Sequence, residues 1–184
     1  MDNGESSYRR FLAGDNEGML EIVDEYQTGL MLYLNSFVQN IHMAEDLSED
    51  TFYELMIKRP KFSGKSSFKT WLYAIGRNIT AKYIRKHIKL SVVPLESQEY
   101  LAVEESIEGN YIKSEQKRMV HQALHRLKLE YRQVLFLSYF EGFSISEMAL
   151  IMKKSEKQIK NFLYNAKKAL KSELERSGFD YEES

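Results

Sequence analysis

Seven lysines lie between Lys153 and Lys171 against a single acid, Glu156, and set among them are Gln158, Asn161, Tyr164 and Asn165. Amines neutralise phosphate, and Gln or Asn pairs two-pronged with an adenine edge in the major groove. A second basic zone runs from Lys58 to Lys89, with ten Lys and Arg and no Asp or Glu. Within it, Lys61-Phe62-Ser63-Gly64-Lys65-Ser66 sets small residues beside two lysines, a composition suited to closing around an extruded base and its phosphates. The chemistry in view is the binding of a polyanion. On charge alone, both tracts are equally readable as solvated helix faces.

Chemistry on bonds finds less support. His42, His87, His121 and His125 make no metal set; His121 and His125 share a helix face but have no evident third ligand. The chain has no cysteine, which excludes disulfides, thiolate metal sites and a cysteine nucleophile. No catalytic residues, metal, cofactor or small-molecule substrate are therefore expected.

The elements that must position these residues are helical. The chain has 184 residues, 43% hydrophobic and 29% charged, enough for one ordinary domain or two small ones. Its net charge of −1 conceals segregation: residues 1–50 carry 11 acids and 2 bases, residues 51–100 carry 3 acids and 10 bases. No apolar run is long enough to span a membrane and no export leader is evident, so a cytoplasmic address is expected. Proline occurs only at 60 and 94. From Asp15, apolar residues recur in steps of three and four: Met19, Ile22, Val23, Tyr26, Leu30, Tyr33, Leu34, Phe37 and Ile41. A second helix is predicted from about Met43 to Arg59, stopped by Pro60, and a third from about Ser67 to His87. On that third helix Phe68, Trp71, Leu72, Ile75, Ile79 and Tyr83 form the apolar stripe, with Trp71 read as core. Lys69, Thr70, Tyr73 and Arg77 lie opposite, and Asn78 and Arg85 stand at one border.

The pattern fades from Lys89 to Ser114, which reads as a linker. Helices resume near Glu115, marked first by Val120, Leu124 and Leu127, then by Val134, Leu135, Leu137 and Tyr139. Ser144-x-x-Glu147 and Ser155-x-x-Gln158 are capping boxes eleven residues apart, so two short-spaced helices make a helix-turn-helix. On the second of these, Ile159, Phe162, Leu163, Ala166, Ala169 and Leu170 share one side. Lys157, Gln158, Lys160, Asn161, Tyr164, Asn165 and Lys168 share the other. The expected fold is all-α: two small helical domains, 1–88 and 115–177, joined by a flexible linker, 89–114, with a tail at 178–184. Met1 to Gly14 is given no role.

Two segments carry a resemblance to a known family. Ala44-Glu45-Asp46-Leu47-Ser48-Glu49-Asp50-Thr51-Phe52, followed by Phe62-Ser63-Gly64-x-x-Ser67-Phe68-x-x-Trp71-Leu72-Tyr73-x-Ile75-x-Arg77-Asn78, resembles the second region of bacterial sigma-70 factors. Leu127-x-x-x-Tyr131-Arg132-x-Val134-Leu135, then Glu141-Gly142-x-Ser144-x-x-Glu147-x-Ala149 and Ile159-Lys160, resembles their fourth region. The chain is most similar to the small extracytoplasmic-function group. The resemblance implies an initiation factor that binds core RNA polymerase and directs it to promoter DNA, with an anti-sigma factor as a further expected partner.

By that resemblance, Asp46, Leu47, Glu49, Asp50 and Phe52 dock on core polymerase, the acids pairing with bases and Leu47 and Phe52 anchoring. Read from the helix alone, those two are equally core residues. The minus-10 element would be held as melted strand by Ser63, Gly64, Lys65, Ser66, Lys69, Tyr73, Arg77, Asn78, Lys82 and Arg85. The minus-35 duplex would be read by Lys157, Gln158, Lys160, Asn161, Tyr164, Asn165 and Lys168. The chain departs from the family in three places: Lys153 stands where a turn glycine is usual, and Phe162 and Asn165 stand at usually basic positions. A 26-residue linker reaches roughly 85–90 Å stretched but averages about 28 Å as a coil. Promoter elements one and a half turns apart are about 50 Å distant, so the linker would span them only when held extended. The rival reading is a helix-turn-helix regulator acting without polymerase, which calls for a ligand or phosphorylation site in the first domain; none is evident.

Overall fold

The computed structural model describes residues 3–87 and 111–179. Among them every regular element is a helix. Helix α1 spans Asn3–Leu12, α2 Glu17–Val38, α3 Ile41–Lys58 and α4 Phe68–His87. After the undescribed stretch come α5 (Tyr111–Arg126), α6 (Leu129–Leu135), a π-helical turn (Phe136–Phe140), α7 (Ile145–Met152) and α8 (Glu156–Arg176).

Local sequence accounts for the breaks. The stripe on α2 buries Met19, Ile22, Tyr26, Leu30, Tyr33 and Leu34, and the helix stops where Gln39 turns left-handed at φ 50°. Asn40 then caps α3, its side-chain oxygen accepting from the Met43 N–H at 3.0 Å. Arg59, at φ 43°, ends α3 just before Pro60. Helices α1–α4 pack on one another, as do α5–α8, and the two groups meet where α4 crosses α7 and α2 touches α6. Gly76 permits the tightest crossing inside the first group: a Cβ there would lie 2.9 Å from Leu30 Cδ1 and 3.3 Å from Thr51 Oγ1.

Four expectations need correction. Residues 1–14, given no role, contain α1, whose Tyr8 and Phe11 are buried in the core. Helix resumes at Tyr111 rather than near Glu115, so the linker ends earlier; residues 88–110 lie outside the described residues, as do 180–184 of the tail. The helix expected to run through Tyr139 widens into a π turn, closed by the Glu141 N–H on the Phe136 carbonyl at 3.3 Å. The extra residue in that turn swings Tyr139 and Phe140 outward, to 60% and 66% exposure.

Both capping boxes form. The Ser144 hydroxyl accepts from the Glu147 N–H at 3.3 Å and Glu147 accepts from the Ser144 N–H at 2.9 Å. The same exchange joins Ser155 and Gln158 at 3.2 and 2.9 Å. Between the two helices Lys153 sits at φ 53° and ψ 49°, the left-handed conformation that a Cβ disfavours. Replacing Lys153 by glycine is therefore expected to raise stability by about 0.5–1 kcal/mol. A thermal melt with an unchanged or lower midpoint would count against strain at this turn.

Candidate nucleic-acid interface

Helix α8 is held from behind. Ile159 and Ala166 are fully buried and face Met148, Ile151 and Met152 of α7 in the same core. The front stands free: Lys157, Gln158, Lys160, Asn161, Tyr164, Asn165 and Lys168 are all exposed, Tyr164 at 71%. All seven expected residues thus share one accessible face of one rigid helix.

The loop before α4 exposes Ser63, Gly64 and Lys65, with Gly64 at φ 68° and Ser66 half-buried. Its start is fixed from α1, where the Tyr8 hydroxyl donates to the Pro60 carbonyl at 2.8 Å. Burial pushes the Tyr8 phenol up to about 12, with Arg59 pulling the other way, so this donor stays protonated at neutral pH. Trp71 packs on Tyr8, Phe62 and Phe68 at 5.2–5.5 Å between ring centres. That is the environment of a core side chain. Farther along α4, Asn78, Lys82 and Arg85 are exposed and Arg77 is half-buried.

Tyr73 corrects the helical-wheel expectation, because it is fully buried. Its ring stacks on Tyr33 at 5.5 Å and meets Phe143 edge-on at 5.1 Å. Burial, reinforced by the nearby Glu141 carboxylate, drives its phenol far above the ordinary value. Helix α4 is packed on two sides, not one. On the second side Lys69 Nζ pairs with Glu141 at 2.8 Å and lies 4.9 Å over the Phe143 ring. Ser67 and Thr70 point hydroxyls at Glu147 Oε1, at 3.4 and 3.1 Å. Burial raises the Glu147 carboxyl, but bonds from the Ser144 N–H and hydroxyl, Thr70 and Ser67 outweigh it and hold the group below the usual range. Of the expected minus-10 residues, Ser63, Gly64, Lys65, Asn78, Lys82 and Arg85 are open to a ligand. Lys69 is already engaged and Tyr73 is out of reach.

On α3, Glu45, Asp46, Glu49 and Asp50 form an exposed acidic face. Leu47 and Phe52, at 2% and 4% exposure, belong to the core with Ala44, Thr51 and Leu55. They are not surface anchors: truncating either would cost about 2–5 kcal/mol of folding before it reported on any partner. The apolar groups that do continue the acidic face are Tyr53, Met56 and Ile57, exposed at 59%, 40% and 62%.

Comparison with known sequences decides what this arrangement is. The model of Sigma-70 region 2 matches residues 22–89, and that of Sigma-70 region 4 matches residues 117–170. The chain belongs to the sigma-70 family. Two relatives from Bacillus subtilis (strain 168) align over nearly the whole length. RNA polymerase sigma factor YlaC is 28% identical over 85% of this chain and 92% of its own. ECF RNA polymerase sigma factor SigX is 25% identical over 84% of this chain and 82% of its own. The sigma factor RpoE of Bartonella quintana, solved with the anti-sigma factor NepR, shares the fold with a TM-score of 0.66 at 24% identity, covering 84% of this chain and 95% of that one.

This chain is thus an RNA polymerase sigma factor of the extracytoplasmic-function group. Region 2 in it comprises α2–α4 and region 4 comprises most of α5 through α8. Among the described residues of the sigma factor, no helix is long and apolar enough to cross a membrane. Three contributors escaped the sequence reading. Tyr53, Met56 and Ile57 were signalled by their position, seven and eight residues after Glu49. Ser67 and Glu147 carried no signal, since a capping glutamate looks complete in itself. Arg132, within a recognised motif, spans the seam: its guanidinium donates to the carbonyls of Ser36, His125 and Leu127, each at 3.0 Å.

Proposed function

We propose that this sigma factor directs core RNA polymerase to promoters through three separate surfaces. The exposed face of α3, with Asp46, Glu49 and Asp50 continued by Tyr53, Met56 and Ile57, docks on core polymerase. The loop from Lys61 to Ser67 and the open edge of α4 at Asn78, Lys82 and Arg85 hold the minus-10 element as melted single strand. The front of α8 reads the minus-35 element as duplex. The first domain ends with α4 and the second starts with α5. The polymerase performs the bond chemistry, and melting draws on the binding energy of bases captured by the loop and Asn78.

One observation carries the reading: seven lysine, amide and phenol side chains stand exposed together on α8, whose apolar back is clamped by a second capped helix. That is the requirement for inserting one helix face into a major groove. The fold shared with a sigma factor solved bound to an anti-sigma factor supports an anti-sigma partner here as well.

Photo-crosslinking of the holoenzyme tests the assignment of elements. A crosslinker placed at 78 is expected to capture the non-template strand within the minus-10 element, and one at 161 the minus-35 duplex. Capture of both by the same element would overturn it. Asn165→Arg supplies a finer check. Since the front is richer in amides than is usual for the family, a guanidinium there should shift the preferred minus-35 sequence toward guanine. An unchanged preference in a promoter library would remove Asn165 from the readout.

A further inference from the structure

The seam between the two domains occupies the same end of α4 that would meet melted DNA. Lys69 Nζ there contacts Glu141 Oε2 at 2.8 Å and the Glu141 carbonyl at 3.1 Å. The same amine lies over the rings of Phe143 at 4.9 Å and Tyr73 at 5.8 Å. Ser67 and Thr70 donate to the Glu147 carboxylate. Carboxylates stand where phosphates would, and an aromatic ring stands where a base would stack. Promoter reading also requires the domains to part, because α4 touching α7 cannot bind one element while α8 lies on another about 50 Å away.

We propose that this contact is an autoinhibitory clasp, in which the segment from Glu141 to Glu147 of the second domain covers the single-strand-binding end of α4 until core polymerase separates the two. The proposal rests on the assignment of α4 to the minus-10 strand. The clasp is built to open. A cavity of about 360 Å³ lined by Glu25, Tyr26, Gly29, Ser67, Lys69, Tyr73 and Glu141 lies along it, so its packing is incomplete and little dispersion energy is lost on parting. Lys69 keeps 32% of its side chain exposed, whereas Glu141 keeps 11%. Asn78, Lys82 and Arg85 lie beyond the covered stretch, so weak DNA binding by the closed chain is retained.

Gly29 offers a way to part the seam without touching an exposed DNA-facing residue. A Cβ at that position would lie 2.5 Å from Tyr73 Oη and 2.7 Å from Glu141 Oε1. Glu141→Gln is the second variant, removing the charge at constant size. The full chain has no cysteine, so Leu20→Cys and Ser172→Cys carry a spin-label pair cleanly, both positions being exposed. Binding of a random-sequence pool of labelled single strands, about 12 nucleotides long, is followed in parallel.

Gly29→Ala and Glu141→Gln are each expected to lengthen the inter-label distance and tighten single-strand binding about tenfold. The salt dependence should steepen by about 0.7 per phosphate contact regained. An unchanged distance in both variants would overturn the clasp. A longer distance with no gain in binding, while Asn78→Ala still weakens binding, would overturn masking and leave the assignment of α4 standing. A longer distance with no gain and no effect of Asn78→Ala would overturn that assignment, and the clasp with it.

Discussion

Asn78→Ala in the holoenzyme is expected to lower open-complex formation by about ten- to hundredfold while leaving capture of core polymerase intact. Asn78 is exposed on α4, one turn past the clasped stretch, and it points away from the stripe of Phe68, Leu72 and Gly76 that α4 buries. Its amide offers both a donor and an acceptor to the edge of an unstacked base. A lost base contact of that kind costs about 1–3 kcal/mol, which is the stated range in rate or occupancy. Because the side chain makes no core contact, folding should not change. Permanganate footprinting of the melted strand measures the opening and gel filtration measures the capture. Equal loss in both assays would show that the residue acts on the fold or on docking, not on the base.

Reversing charge at Asp46 and Glu49 together should produce the mirror-image result. Capture of core polymerase is expected to fall about tenfold or more, because two carboxylates that steer and pair with a basic partner become cations facing it. The effect should shrink as salt is raised, since both positions are exposed and their field is screened within about 10 Å at 0.1 M salt. Neither residue contacts the core built by Leu47, Phe52 and Leu55, so a thermal melt should scarcely move. The same substitutions with capture unchanged at low salt would remove the acidic face of α3 from the docking surface, leaving Tyr53, Met56 and Ile57 to account for it.

Most of this fold was legible because its helices carry strong periodic stripes and explicit stops. Helix α2 follows the spacing of Met19, Ile22, Tyr26, Leu30 and Tyr33 almost turn for turn, and both capping boxes form as their spacing predicts. The misses share a physical cause. A helical wheel sorts residues into apolar and polar, but a tyrosine ring, a lysine stem and a threonine methyl serve equally well against solvent, DNA or another domain. Tyr73, Lys69 and Thr70 therefore read as a free face when they form a second packed one. On α3 the stripe was disguised because its buried positions include Ser48 and Thr51, whose hydroxyls look exposed on paper; the Thr51 hydroxyl instead donates to the Leu47 carbonyl at 2.8 Å. Helix α1 is only ten residues long, too short for two full periods of any pattern. The face of α8 was read correctly because nothing packs on it, so polarity there reports exposure directly.

The central claim, that this chain turns core polymerase into a promoter-specific enzyme, is tested most directly by run-off transcription. A fragmented genomic library is transcribed by bacterial core polymerase with and without the protein. Transcripts that start only in its presence, preceded by two shared sequence elements one and a half duplex turns apart, are the predicted result. A chain that neither yields such starts nor co-elutes with core polymerase would contradict the account.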